Sequence, residues 1–129
     1  MLNNIGWYHA LLGDYQQSRA FCETSLTLSA ELGHRHTEAS AWDSLGFSEH
    51  QDGKYGRAVA CYQRALSLFR ELGDRNYEAN TLSHLGDSRH ATGDLPRASE
   101  AWRQALAILD DLEHPDADKI RGKLAGLGG

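Results

Sequence analysis

The chain has only two cysteines, Cys22 and Cys61, and only two prolines, Pro96 and Pro115. Two cysteines cannot build the disulfide framework of a small secreted domain. The scarcity of proline and of β-branched runs argues against an all-β fold. No apolar run exceeds a few residues, so no segment is expected to span a membrane. Residues 1–12 lack the basic start and long apolar stretch of a secretory signal. Positive charge is also in deficit. Thirteen Lys and Arg stand against eighteen Asp and Glu, a net charge of −5, which disfavours a phosphate backbone and so nucleic acid as a partner. What remains is 129 residues at 40% hydrophobic and 24% charged, the balance of one soluble globular domain or a run of small repeats. These bounds predict a helical, cytoplasmic protein.

Internal repetition dominates the sequence. Gly6, Gly46 and Gly86 stand 40 apart, and so do Gly13, Gly53 and Gly93. Leu26, Leu66 and Leu106 keep the interval, as do Leu32, Leu72 and Leu112. The segments Glu31-Leu32-Gly33-His34-Arg35 and Glu71-Leu72-Gly73-Asp74-Arg75 are near copies. The chain therefore divides into repeats of about 1–35, 36–75 and 76–114 within one domain spanning 1–129. Each copy reads as two helices, because apolar residues recur every three to four positions and stop at glycine. The expected helices lie near 2–12, 15–32, 36–52, 55–72, 76–92 and 95–112, with a short capping helix near 116–126. Asp14 and Asp94 suit helix N-caps, and Pro96 suits a first turn, where its missing N–H costs nothing. Gly6, Gly46 and Gly86 would let the second helix approach closely, with Ser18, Ala58 and Ala98 facing that gap. Cys22, Tyr62 and Trp102 would fill the space towards the next copy. A unit of this size buries its apolar face only by stacking on its neighbour.

The order of these residues resembles the tetratricopeptide repeat family: a bulky residue, Leu-Gly, a small residue on the second helix, an aromatic, then Ala. Copy two supplies Trp42, Leu45-Gly46, Ala58, Tyr62 and Ala65, and copy three supplies Leu82, Leu85-Gly86, Ala98, Trp102 and Ala105. Copy one follows more loosely with Leu2, Ile5-Gly6, Ser18, Cys22 and Ser25. The period of 40 exceeds the family's usual 34 and resembles the longer repeats of bacterial transcriptional regulators and animal cell-polarity adaptors. The resemblance implies an all-α, right-handed α-solenoid of three helical hairpins with a C-terminal capping helix. It implies a protein- or peptide-binding scaffold, not an enzyme, and no cofactor. Two other functions stay open: a sensor module of a larger bacterial regulator, and a self-assembling homo-oligomer. The last is suggested by the first helix, which has only Met1 before Leu2 and so lacks a first turn and cap, as in a piece of a longer array or an end that something else covers.

In this family the first helices line a concave groove. The matching positions are Asn3, Trp7 and Ala10 in copy one, Ser40, Asp43, Ser44, Phe47 and His50 in copy two, and Asn80, Ser83, His84, Asp87 and His90 in copy three. Aromatics there would give contact area and polar groups register. Trp7 and Phe47 could equally be core between repeats, and Asp43 and Asp87 a solvated face. Family members that bind acidic chaperone tails use Lys, Arg and Asn in the groove. These positions offer Asp43 and Asp87 and no Lys or Arg, so the expected partner is a basic or amphipathic peptide or helix. His50 and His90 occupy equivalent positions, which would let them approach across the groove and make binding pH-sensitive. His34-x-His36 with Glu38 falls in a turn and lacks the three or four fixed ligands of a zinc site. No phosphate loop, Cys-x-x-Cys, His-Glu-x-x-His or Gly-x-Ser-x-Gly motif occurs. Cys22 and Cys61 sit mid-helix and out of register for a disulfide.

Overall fold

The computed structural model describes residues 14–128. Six helices follow one another: α1 (Tyr15–Leu32), α2 (Arg35–Gln51), α3 (Tyr55–Leu72), α4 (Arg75–Ala91), α5 (Leu95–Asp111) and α6 (Ala117–Gly128). No strand occurs among the described residues. Each observed boundary lies within two residues of the expected one. The expected helix near 2–12, with Gly6 and Gly13, lies outside the described residues.

Local chemistry sets the ends. The Asp14, Asp74 and Asp94 side chains accept from the backbone N–H of Gln17, Tyr77 and Arg97 at 3.2, 3.1 and 3.3 Å. Each satisfies a donor that the first helical turn leaves open. α1 and α3 end on Gly33 and Gly73 at φ 71° and 70°, a left-handed turn that glycine takes without steric cost. The residue 40 beyond Gly73 is Glu113, at φ 53°. It makes the same turn with a side chain, at a cost of about 1 kcal/mol.

Neighbouring helices pack in chain order, α2 against α3, α4 against α5, and α6 against α5. Short links make them antiparallel. The largest core runs through α3 to α6 and includes Tyr62, Leu66, Leu82, Leu85, Trp102, Leu109 and Ile120. Gly46 and Gly86 do permit close approach, but the atoms nearest to them are not those of Ala58 or Ala98. A Cβ on Gly46 would meet the Tyr62 ring at 2.7 Å, and one on Gly86 would meet Trp102 Nε1 at 2.2 Å. The aromatic one turn beyond the alanine is what the glycine admits. Ala58 and Ala98 are nonetheless fully buried.

The joint between α1 and α2 is different in kind. α1 buries Ser18, Cys22, Ser25 and Ser29, which offer little apolar area. Polar contacts take over: Ser48 Oγ donates to Ser18 Oγ, and the Arg19 guanidinium donates to both Glu49 and Asp52. That hydrogen bond from Arg19 holds the Asp52 carboxyl below the usual range. Cys22 and Cys61 are free and share a small core cluster with Leu45. Burial pushes their thiols up to about 12 and about 11, which removes the thiolate a nucleophile needs.

Candidate functional site

The first helices of the hairpins, α2 and α4, lie side by side, and α6 extends the row. Its Ala117 and Ile120 are buried against the main core. Side chains one helical turn apart on these helices therefore share one face. The structure brings the expected residues Asp43, Phe47, His50, Ser83, His84 and Asp87 into one connected network. His84 Nδ1 lies 3.0 Å from Asp43 Oδ1. The His84 ring sits 5.5 Å from Tyr62 and 6.4 Å from Phe47. Asp43 is only 14% exposed, so it is a paired, half-buried acid and not a solvated one. Ser40 and Ser44 are half-buried on the same helix, and Asn80 is exposed. Asn3, Trp7 and Ala10 lie outside the described residues.

Asp87 has a partner that the groove positions did not reveal. Lys123 Nζ, on α6, approaches Asp87 at 2.8 Å and Ser83 Oγ at 3.4 Å, and lies 5.7 Å from the Trp102 ring. The absence of a groove cation therefore fails in three dimensions, because α6 takes the place of a further first helix. The signal was available in principle: Lys119 and Lys123 are spaced one turn apart, as groove residues are. Reading α6 only as a cap left that face unassigned.

The expected meeting of His50 and His90 is not what forms. His50 Nδ1 pairs with Ser88 Oγ at 2.7 Å, while the His90 ring stands 5.6 Å from Trp102. Asp43 and His84 make the titratable pair in the groove instead. His36 also leaves the turn. It belongs to the first turn of α2, pairs with Asp74 at 3.0 Å and packs edge-on to Phe69 and Tyr77. Among the described residues, no group of three or more His, Cys, Asp or Glu is placed to hold a metal ion. No helix among them is long and apolar enough to cross a membrane.

The pKa values of two histidines on this face shift in opposite directions. For His84, burial opposes the charged form. The hydrogen bond and field of Asp43, with Asp87 behind them, outweigh burial and the repulsion of Lys123, so its pKa is raised. For His50, burial prevails and the pKa is lowered. A raised folded pKa contributes stability that is complete below the unfolded value of about 6.5 and is lost as pH rises through the folded value. His84→Gln is therefore expected to cost about 1 kcal/mol at pH 6 and progressively less towards pH 9. Urea denaturation at a series of pH values checks this; a cost that stays level across the range would mean that His84 is not held charged by Asp43.

Between α4 and α6 the face deepens into a cleft of about 570 Å³. The expected residues Asn80, Ser83, His84 and Asp87 line it, together with Tyr77, Lys119 and Lys123. It offers amide and ammonium donors, a carboxylate and an aromatic wall.

Comparison with known proteins agrees with this architecture. Sequence models described as tetratricopeptide repeat match residues 37–111 and 1–38. No curated protein matches the sequence. Among solved structures, BtubC (BKLC) from P. vanneervenii superposes with a TM-score of 0.87 at 24% identity, over 98% of this chain and 53% of that one. A kinesin light chain candidate from Podospora anserina, with nearly identical TPR-like repeats, gives 0.83 at 16% identity, over 98% of this chain and 63% of that one. The TPR domain of Arabidopsis FLU gives 0.79 at 19% identity, over 85% and 92%. The chain thus spans about half to two thirds of the length of the first and second of these structures.

Proposed function

The chain belongs to the tetratricopeptide repeat family, a family of protein-interaction scaffolds, and on that premise we propose that it holds a peptide or helix of another protein on the face of α2, α4 and α6. The cleft between α4 and α6 carries this reading. Its volume of about 570 Å³ suits a few side chains of a bound segment, and it is lined by residues already marked by their repeat positions. Asp43 and Asp87 are matched within the chain by His84 and Lys123. A partner therefore meets a paired and nearly neutral network, not a bare acidic stripe. An amphipathic segment fits it best. Its apolar side chains cover Phe47 and Tyr77, and a basic side chain exchanges with Lys123 for Asp87.

Asn80 gives the cleanest test, because it is exposed, lines the cleft and has no side-chain hydrogen bond among the described residues. Peptides selected on the wild-type protein from a displayed random library are expected to lose about tenfold or more in affinity for Asn80→Trp, which fills the cleft. The helical circular dichroism should stay unchanged. Selected peptides that bind Asn80→Trp as well as wild type would remove the cleft from the binding face.

A further inference from the structure

A second cleft, of about 590 Å³, opens between α3 and α5 with α4 as its floor. Leu66, Leu82 and Leu85 form its base. Consecutive helices run antiparallel, so Arg70 and Gln104 gather at one end, and Gln63, Arg89 and Arg97 at the other. The first end is closed within the chain, since Arg70 Nη2 donates to Gln104 Oε1 at 3.2 Å and Arg70 Nε to Glu78 at 3.0 Å. The second end is open. Arg97 meets Asp94 only at 3.7 Å and is 71% exposed. Arg89 is half-buried; its carbonyl accepts from Thr92 Oγ1 and from the Asp94 N–H, but its guanidinium has no hydrogen-bond or ion-pair partner among the described residues. Glu100 is the carboxylate on that wall, and its partner is Gln104 at 3.5 Å.

The repeat shows what is unusual about Arg89. The residue 40 positions earlier is Glu49, which is buried and answered by Arg19 from the preceding second helix. At the next joint the first helix carries Arg89, while the position equivalent to Arg19 is Val59. The sign at that place is reversed and no counter-charge is supplied. Arg35 and Arg75 are matched across repeats by Glu71 and Asp111, each at 2.5 Å, and Arg64 and Arg103, which have no ion pair among the described residues, are exposed. A half-buried guanidinium with its whole fork of donors uncommitted is suited to a planar carboxylate, which it can bind through two parallel hydrogen bonds.

We propose that the α3–α5 cleft is a second docking site, on the second-helix side of the hairpins, which takes an acidic peptide segment of a partner protein through a carboxylate on Arg89. Arg97 supplies a flanking charge, and Gln63 supplies amide hydrogen bonds. The lining carries Arg70, Arg89 and Arg97 against Glu71 and Glu100, and Arg70 and Glu71 are paired at the closed end with Glu78 and Arg35, so the open end prefers the opposite chemistry to the groove of α2, α4 and α6. It stands independently of that groove.

The same displayed random library separates the two sites. Peptides selected on wild type are rescreened on Arg89→Glu, Arg89→Lys and Asn80→Trp. The expected result is a class rich in Asp and Glu that loses at least about tenfold on Arg89→Glu, loses less on Arg89→Lys and is unaffected by Asn80→Trp. Arg89 makes no ion pair among the described residues but lies in the last turn of α4, so Arg89→Glu should lower the melting temperature by a few degrees at most, with helical circular dichroism unchanged, and Arg89→Lys should lower it less. Recovery of no acid-rich class would overturn the proposal, and so would an acid-rich class that binds Arg89→Glu as well as wild type. A set of peptides sensitive to Asn80→Trp alone would overturn it while leaving the first groove intact.

Discussion

Gly86→Ala is expected to destabilise the protein by about 3 kcal/mol, although alanine is the better helix former by about 1 kcal/mol. The added methyl would stand 2.2 Å from Trp102 Nε1 and 2.4 Å from Cδ1. That ring cannot swing aside cheaply. It is 3% exposed, and its Nε1 donates to the Ser83 carbonyl at 3.1 Å. Either α4 and α5 move apart, exposing the core between them, or the indole gives up its hydrogen bond. Gly46→Ala should cost less, since the nearest Tyr62 atom is 2.7 Å away. A double-mutant cycle identifies the cause. Trp102→Leu removes the obstructing ring, so Gly86→Ala made in that background should cost at least about 1 kcal/mol less than in wild type. Equal costs in both backgrounds, measured by urea denaturation, would place the strain somewhere other than the indole.

The second large effect is at the α1–α2 joint. Arg19→Met should cost about 3 kcal/mol, because it leaves the Glu49 carboxylate buried without its main counter-ion. Glu49 is 4% exposed. Its Oε2 has no hydrogen bond, and its remaining cation, Arg57, is 3.8 Å away and 70% exposed. The serine-rich face of α1 has little apolar area to offset that loss. Replacing both partners, Arg19→Met with Glu49→Met, should recover most of the stability, since the buried charge and its desolvation go together. Hydrogen exchange gives the location: in Arg19→Met the amides of α1 should lose protection before those of α4 and α5. Uniform loss along the chain, or a double variant no better than the single one, would argue that the pair is not what holds α1.

Most of the fold was legible because its determinants are local. The three-to-four-residue spacing, the glycines that stop helices and the aspartates that cap them all act within one or two turns. The interval of 40 then said which helices are equivalent. The candidate site was legible only as a set of positions. The resemblance to the repeat family marked Asp43, Phe47, His84 and Asp87 as groove positions, but it could not give their partners. Asp43 with His84, and Asp87 with Lys123, join residues about one repeat apart on separate helices. Two expectations failed for that reason. The groove was read without cations because α6 was not counted as part of its wall. His50 and His90 were paired by equivalence, although a neighbouring helix offered His50 the hydroxyl of Ser88.

The amino-acid sequence by itself determined the helices, their ends, their grouping into hairpins and the family, since each depends on periodicity or on contacts within a few residues. The tertiary structure alone decided which charges are neutralised and which are left. Ion pairing across stacked helices depends on the angle and offset of the stack, and no spacing along the chain encodes those. That is why Glu49 and Arg89, equivalent in the repeat, end differently: one is buried against Arg19, and the other, with Val59 at the position equivalent to Arg19, has no ion pair among the described residues.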